Sequence, residues 1–237
     1  RSADSAETAR ALEQVRAVLS PYLASVKPAD ILVALAGMNA VAAGIAAVND
    51  VQRPRGKRVW IQLGWLYVDS TRLFEKATDT QHVFVPDVTD LGAVERLLAQ
   101  GDVAGVFTEI PNNPQLETAD VYALRRLCDQ YGAKLVLDPS SVGLASVDVL
   151  PPADIVCSSL TKYAASSGDV MAGVLAVNPA RPDAEALLQS ARSYIDAPYA
   201  ADTIALAQQI VKLPAVTARL SQQATELAQR LAQHPAV

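Results

Sequence analysis

Residues 31–48 read ILVALAGMNAVAAGIAAV. The run approaches the length of a membrane span, but it is rich in Ala and Gly and is interrupted by Asn39. A short strand, a turn at Gly37 and a helix account for it better. The same order recurs along the chain. Strand-length apolar runs fall at 31–35, 58–63, 82–85, 103–108, 134–138, 154–157 and 170–177. Several are continuous and Val-rich, which suits strands covered on both faces. Helical spacing appears between them: Ala9, Leu12, Val15 and Leu19 mark residues 6–19, and 89–99, 119–131 and 183–193 behave alike. Strands alternating with helices predict a three-layer α/β domain on a mostly parallel sheet. Residues 201–234 read as helix nearly throughout, divided or kinked at Pro214, with Leu220, Leu227 and Leu231 on one face.

Bulk properties narrow the function classes. The 237 residues are 51% hydrophobic and 19% charged, a globular balance. A net charge of -5, with one short basic stretch at 53–58 (RPRGKR), speaks against nucleic acid as a partner. Cys128 and Cys157 read as reduced core thiols of a cytoplasmic protein. His82 and His234 lie far apart, and no Cys/His spacing suggests a metal site. Neither a membrane span nor a secretory signal is expected.

Ligands of open α/β sheets sit outside the carboxyl ends of the strands. The segments that follow the strands therefore matter most: AGMNA (36–40), EIPNNP (109–114), DPSS (138–141) and SSLTK (158–162). In parallel strands all four converge on one edge. The Gly37 turn opens a helix whose N–H groups can hold an anion. Ser159 and Thr161 donate hydroxyls, Lys162 is an amine, and Asp138 is an acid that needs a cation if buried. A ligand with a phosphate, a carbonyl that condenses with an amine and a basic ring nitrogen fits this set, and pyridoxal 5′-phosphate (PLP) has all three.

Taken together, EIPNNP, VLDPS, ADIVCSSLTKY and SGDVMAG resemble the Cys/Met-metabolism family of PLP enzymes. GWLYVDSTRLFEK (64–76) and VDVLPPADIV (147–156) are most similar to cystathionine γ-synthases. The resemblance covers roughly residues 30–237. It implies the large domain of fold type I, as in aspartate aminotransferase, over residues 1–198. Residues 199–237 are then a connecting helix and the start of a C-terminal domain. It implies that Lys162 is the lysine that bonds the cofactor and carries protons between substrate carbons. Asp138 becomes the acid beside the ring nitrogen, and Gly37, Met38, Ser159 and Thr161 the phosphate cup. Tyr67 stacks on the ring and shares in proton transfer, Asn113 lies near the ring hydroxyl, and Glu109 is a structural acid beside it. Met171 is expected in the core, and Ser166 and Ser167 in a turn.

The implied reaction is γ-replacement on an O-acylhomoserine by cysteine, giving cystathionine. A γ-lyase or sulfhydrylase of the same family is the nearest alternative, and a non-catalytic scaffold is the alternative of another class. The resemblance also implies small amino-acid substrates and a homodimer or homotetramer with shared active sites. It places a phosphate-contacting segment before Arg1 and a carboxylate-binding domain beyond Val237.

Overall fold

A computed structural model describes residues 5–76 and 81–235; the outer limits expected for the two segments, at 1–4 and 236–237, lie outside that range. The strands are β1 (Leu32–Ala34), β2 (Val59–Leu63), β3 (Gln81–Val85), β4 (Val103–Glu109), β5 (Lys134–Asp138), β6 (Ile155–Ser159) and β7 (Gly173–Val177). They form one sheet in the order β1-β7-β6-β5-β4-β2-β3. Strand β7 runs antiparallel to both its neighbours, and the other pairs are parallel. Strands β1 to β6 therefore point one way, and their carboxyl ends share an edge. This is the α/β architecture with a mostly parallel sheet read from the sequence.

Strands β2, β4, β5 and β7 are buried along their whole length, as continuous Val-rich runs require. The helices are α1 (Ser5–Leu19), α2 (Gly37–Gln52), α3 (Val68–Lys76), α4 (Leu91–Leu98), α5 (Val121–Tyr131), α6 (Ala184–Tyr194), α7 (Ala200–Ile210) and α8 (Leu213–Ala232). Two apolar layers flank the sheet. One joins Val15 and Leu19 of α1, Leu124 of α5 and Leu206 and Ile210 of α7 to one sheet face. The other joins Ala40, Val41, Ile45 and Val48 of α2, Phe74 of α3 and Leu187 of α6 to the opposite face. Asp120 caps α5 by accepting from the N–H groups of Tyr122 and Ala123, and Gly132 ends it in the left-handed region.

Two expectations need adjustment. The strand expected over 170–177 begins only at Gly173, and Ala172 bonds across to the turn after β6, its carbonyl accepting from the Leu160 N–H at 2.9 Å. The Thr161 hydroxyl accepts from the Ala172 N–H at 3.1 Å and donates to the Ala172 carbonyl at 3.3 Å. The strand expected over 154–157 continues to Ser159, so Ser159 lies on the strand end and not in the loop after it. The long C-terminal helix is interrupted at Val211–Lys212, with Pro214 in the first turn of α8, where its missing N–H costs nothing. Helix α7 packs into the core with α1, whereas Leu220, Leu227 and Leu231 of α8 are exposed.

The amino edge of the sheet holds a connected ion network. Asp154, just before β6, is 1% exposed on its side chain, pairs with Arg125 at 2.5 Å and accepts from the Leu135 N–H at 2.8 Å. Lys134 lies 3.6 Å from Asp154 and 2.9 Å from Asp183. Asp183 in turn holds Arg55 at 2.7 Å, and Asp129 pairs with Arg125 and Arg181. Removing one partner strands the buried cations, a cost of several kcal/mol. Asp154→Asn is expected to destabilise the chain by about 3 kcal/mol in urea unfolding; a loss under about 0.5 kcal/mol would show that Arg125 and Lys134 are held by other means.

Candidate functional site

At the carboxyl edge, a cavity of about 600 Å³ is lined by residues from all four strand-end segments. The lining includes Gly37, Met38, Tyr67, Glu109, Asn113, Asp138, Ser159, Thr161 and Lys162. Every site residue expected from the sequence is therefore brought to one place.

The base of the cavity is set by the start of α2. A Cβ on Gly37 would stand 2.9 Å from the Ser159 Cβ and 3.1 Å from its Cα. A Cβ on Gly173 would meet the Ala36 carbonyl oxygen at 2.3 Å. Only glycines allow the α2 terminus to seat this closely between β6 and β7. The N-cap is Ala36, which has no side-chain acceptor. The N–H groups of Gly37 and Met38 thus have no helical or capping partner, and both residues line the cavity together with Ser159 and Thr161. The Ser159 N–H donates to the Ser140 hydroxyl at 2.7 Å, which holds the β5 and β6 ends together beyond their last ladder pair.

Asp138 and Glu109 sit opposite each other on β5 and β4. They are 6% and 4% exposed. The Ser140 N–H donates to Asp138 Oδ1 at 2.8 Å. No Lys, Arg or His among the described residues lies within ion-pair distance of Asp138, so its charge is met by no cationic side chain. Burial raises its pKa to about 6, opposed by the Ser140 hydrogen bonds. Glu109 is pushed up to about 8 by burial first and the Asp138 charge second. The Tyr67 N–H donates to Glu109 Oε1 at 2.6 Å, which fixes the backbone just before α3. Of the two acids, Glu109 is the more strongly biased towards its protonated form.

Lys162 is exposed within the cavity and makes no ion pair or hydrogen bond among the described residues. It is not part of the core between β6 and β7. The buried lysine is instead Lys134, at the other edge of the sheet. Tyr67 is 47% exposed with its ring at the cavity, not packed in the core. Met171, expected in the core, is 51% exposed and lines the cavity, because Ala172 and not Met171 occupies the inward position before β7. The Ser167 N–H donates to Gln209 Oε1 at 2.9 Å, so the SSGD turn is tied to α7. Sequence reading assigned no role to Ser140, Ser141, Tyr163 or Leu116, which also line the cavity. Of these, the serines of DPSS carried a legible signal, since they follow the strand that ends in Asp138. No cluster of three metal-ligating side chains occurs among the described residues, and no helix there is long and apolar enough to cross a membrane.

Residues 4–237 match the profile of the Cys/Met metabolism PLP-dependent enzymes. The chain is similar to the L-2-amino-4-chloropent-4-enoate dechlorinase/desaturase of Streptantibioticus cattleyicolor, at 45% identity over 89% of this chain and 43% of that protein. It is 38% identical to the cystathionine gamma-synthase of Saccharomyces cerevisiae over 50% of this chain and 19% of that protein. Among solved structures, it superposes on a methionine gamma lyase from Micromonospora echinospora with a TM-score of 0.71 at 25% identity, covering 86% of this chain and 54% of that one. The chain thus spans less than two thirds of the length of these relatives.

The acid pair makes stability depend on pH. Both folded pKa values lie above the ordinary 4.5 and 3.8, so the folded chain holds protons that the unfolded chain releases. The stabilisation is complete below about pH 4 and is lost as pH rises through about 6 and then about 8. Glu109→Gln keeps the Tyr67 acceptor without the titration. Its urea midpoint is expected to fall less between pH 5 and pH 9 than that of the unsubstituted chain; parallel pH profiles would refute the protonated Glu109.

Proposed function

We propose a function from one premise: the chain belongs to the Cys/Met metabolism family of PLP-dependent enzymes. The function is removal of a substituent from the γ-carbon of an L-2-amino acid. The observation that carries it is the meeting of an unpaired Lys162, an uncompensated buried Asp138 and the free N–H groups of Gly37 and Met38 in one cavity. These fit an aldehyde carbon, a ring nitrogen cation and a phosphate respectively. The relatives support the γ-position. The name of the dechlorinase/desaturase places chlorine on the fourth carbon of a 2-amino acid, which is the γ-carbon. Methionine γ-lyase and cystathionine γ-synthase are named for the same carbon.

When bound, PLP supplies an electron sink that makes the α-proton of an amino acid removable. Each residue of the chain then has a task. The amides of Gly37 and Met38 and the hydroxyls of Ser159 and Thr161 bind the phosphate. Asp138, ionised before Glu109, pairs with the ring nitrogen and holds a proton there. Asn113 would bind the ring hydroxyl, and Tyr67 would serve binding of the ring and proton transfer. Lys162 would hold the aldehyde carbon through its amine, and the same amine would take the α-proton and deliver protons along the substrate. Cysteine as an incoming thiol, with O-acylhomoserine as the γ-substituted partner, gives cystathionine; loss without replacement is the lyase outcome.

The remaining assignments belong to the same proposal. Residues 199–237 join the large domain to a C-terminal domain that contributes the substrate carboxylate site. The protein acts in the cytoplasm as a homodimer or homotetramer, and the exposed Trp65, Tyr67, Val68 and Phe84 suit cover by another subunit.

The deciding experiment supplies the PLP-loaded, full-length protein with O-acetylhomoserine, O-succinylhomoserine or 2-amino-4-chloropent-4-enoate, each with and without cysteine. Release of acylate or chloride is expected, with cystathionine where cysteine intercepts. Release from O-acetylserine but from no γ-substituted substrate would overturn the reading. Failure to take up PLP would favour a scaffold. Lys162→Ala is expected to retain the far-ultraviolet circular dichroism and to lose turnover by at least about 10²–10⁴-fold. Borohydride reduction followed by peptide mapping should place the pyridoxyl group on Lys162; label on Lys134 or Lys76 would contradict the assignment. Asp138→Asn is expected to weaken PLP binding and lower turnover by orders of magnitude, and near-normal activity would remove its role.

A further inference from the structure

Two non-glycine residues among those described have positive φ: Asp183 and Leu116. Asp183 is explained by its pairs with Arg55 and Lys134, and aspartate tolerates the left-handed region. Leu116, at φ 60°, belongs to a residue type that does not. It is also 67% exposed, so no packing of its side chain within this chain repays the strain.

The conformation is imposed by its neighbours. Asn112 is fully buried and clamps the turn at both ends. Its N–H donates to the Glu117 carbonyl at 2.8 Å, and its side-chain oxygen accepts from the Glu117 N–H at 2.8 Å. The Leu116 N–H donates to the Asn112 carbonyl at 3.0 Å. The clamp delivers Leu116 to the wall of the cavity that also holds Lys162 and Asp138. Met171, likewise exposed, lines the same cavity from the loop before β7. Apart from Lys162, the lining contributed by this chain carries no cation. A strained, exposed leucine facing a cavity with few charges is suited to burial against an uncharged group.

We propose that Leu116 is a specificity residue that receives the uncharged γ-substituent of the amino-acid substrate, with Met171 as its companion. The assignment rests on the γ-substituted amino-acid reading above. Covering Leu116 with the substrate side chain returns apolar contact that the free chain lacks, so the strain is offset only when a substrate with an uncharged γ-group is present. A substrate ending at Cβ does not reach this contact.

The test uses the PLP-loaded, full-length protein with L-norleucine and L-alanine, neither of which carries a leaving group on Cγ. Dissociation constants are measured by calorimetry and melting temperatures by scanning. Leu116→Gly relieves the φ strain while removing the side chain. It is expected to weaken norleucine binding about tenfold, to leave alanine binding unchanged and to keep the melting temperature at or above that of the unsubstituted protein. Leu116→Met keeps an apolar side chain and is expected to recover most of the norleucine affinity. An unchanged ratio of norleucine to alanine affinity in Leu116→Gly would overturn this assignment alone. So would an equal weakening of both ligands with a lowered melting temperature, which marks a merely structural role. An unsubstituted protein that binds neither amino acid would overturn the γ-substrate reading together with it.

Discussion

The site depends on one close approach of backbone to backbone. Without side chains at Gly37 and Gly173, the first turn of α2 lies against Ser159 of β6 and the start of β7, closer than any Cβ would permit. That seating fixes where the α2 amides stand relative to Ser159 and Thr161, and Lys162 is the next residue along the same chain. The alanine at the N-cap then matters for what it omits. A serine or aspartate there could satisfy the helix amides internally; Ala36 leaves them to a ligand. Ser140 completes the arrangement by tying β5 to β6 past the end of their ladder, so Asp138 and Ser159 keep a fixed separation.

The two edges of the sheet treat charge in opposite ways. At the amino edge, Arg125, Asp154, Lys134, Asp183 and Arg55 are mutually paired. Buried ions there are compensated within the chain. At the carboxyl edge, among the described residues, Asp138 and Glu109 are buried with no cation paired to them and Lys162 has no acid partner. The uncompensated edge loses stability as pH rises, and it is also where the cavity lies. Such a division is expected where ligand charges complete a site that folding leaves open. Glu109 illustrates the economy of the design: in its neutral form it orders the Tyr67 backbone without adding a second negative charge beside Asp138.

Much of the architecture was legible in the sequence because burial on both faces forces continuous apolar runs, and the runs at 103–108 and 134–138 needed no periodicity argument. The polar segments after those runs were legible for the same reason, since a parallel sheet gathers them whatever the details of the turns. What escaped was set by contacts distant in sequence. Nothing in VMAGVLAV tells that Ala172 bonds to Thr161 and delays the strand, turning Met171 outward. The bond from the Tyr67 N–H to Glu109 spans elements with no shared pattern. Leu116 gave no signal at all, because a left-handed leucine is created by the Asn112–Glu117 clamp and not by its own propensity.

The cavity has two kinds of wall, and the difference bears on how relatives can share motifs yet be named for different substrates. One wall is backbone amide, strand-end hydroxyl and carboxylate, fixed by glycine contacts and by the β4–β5–β6 register. A substitution there moves the sheet, so its chemistry is hard to vary. The other wall is Leu116, Met171 and Tyr67, exposed side chains on connecting segments. Connecting segments tolerate change because little packs on them. The rigid wall carries the residues proposed to hold the cofactor, and the loop wall those proposed to meet the γ-group of the substrate.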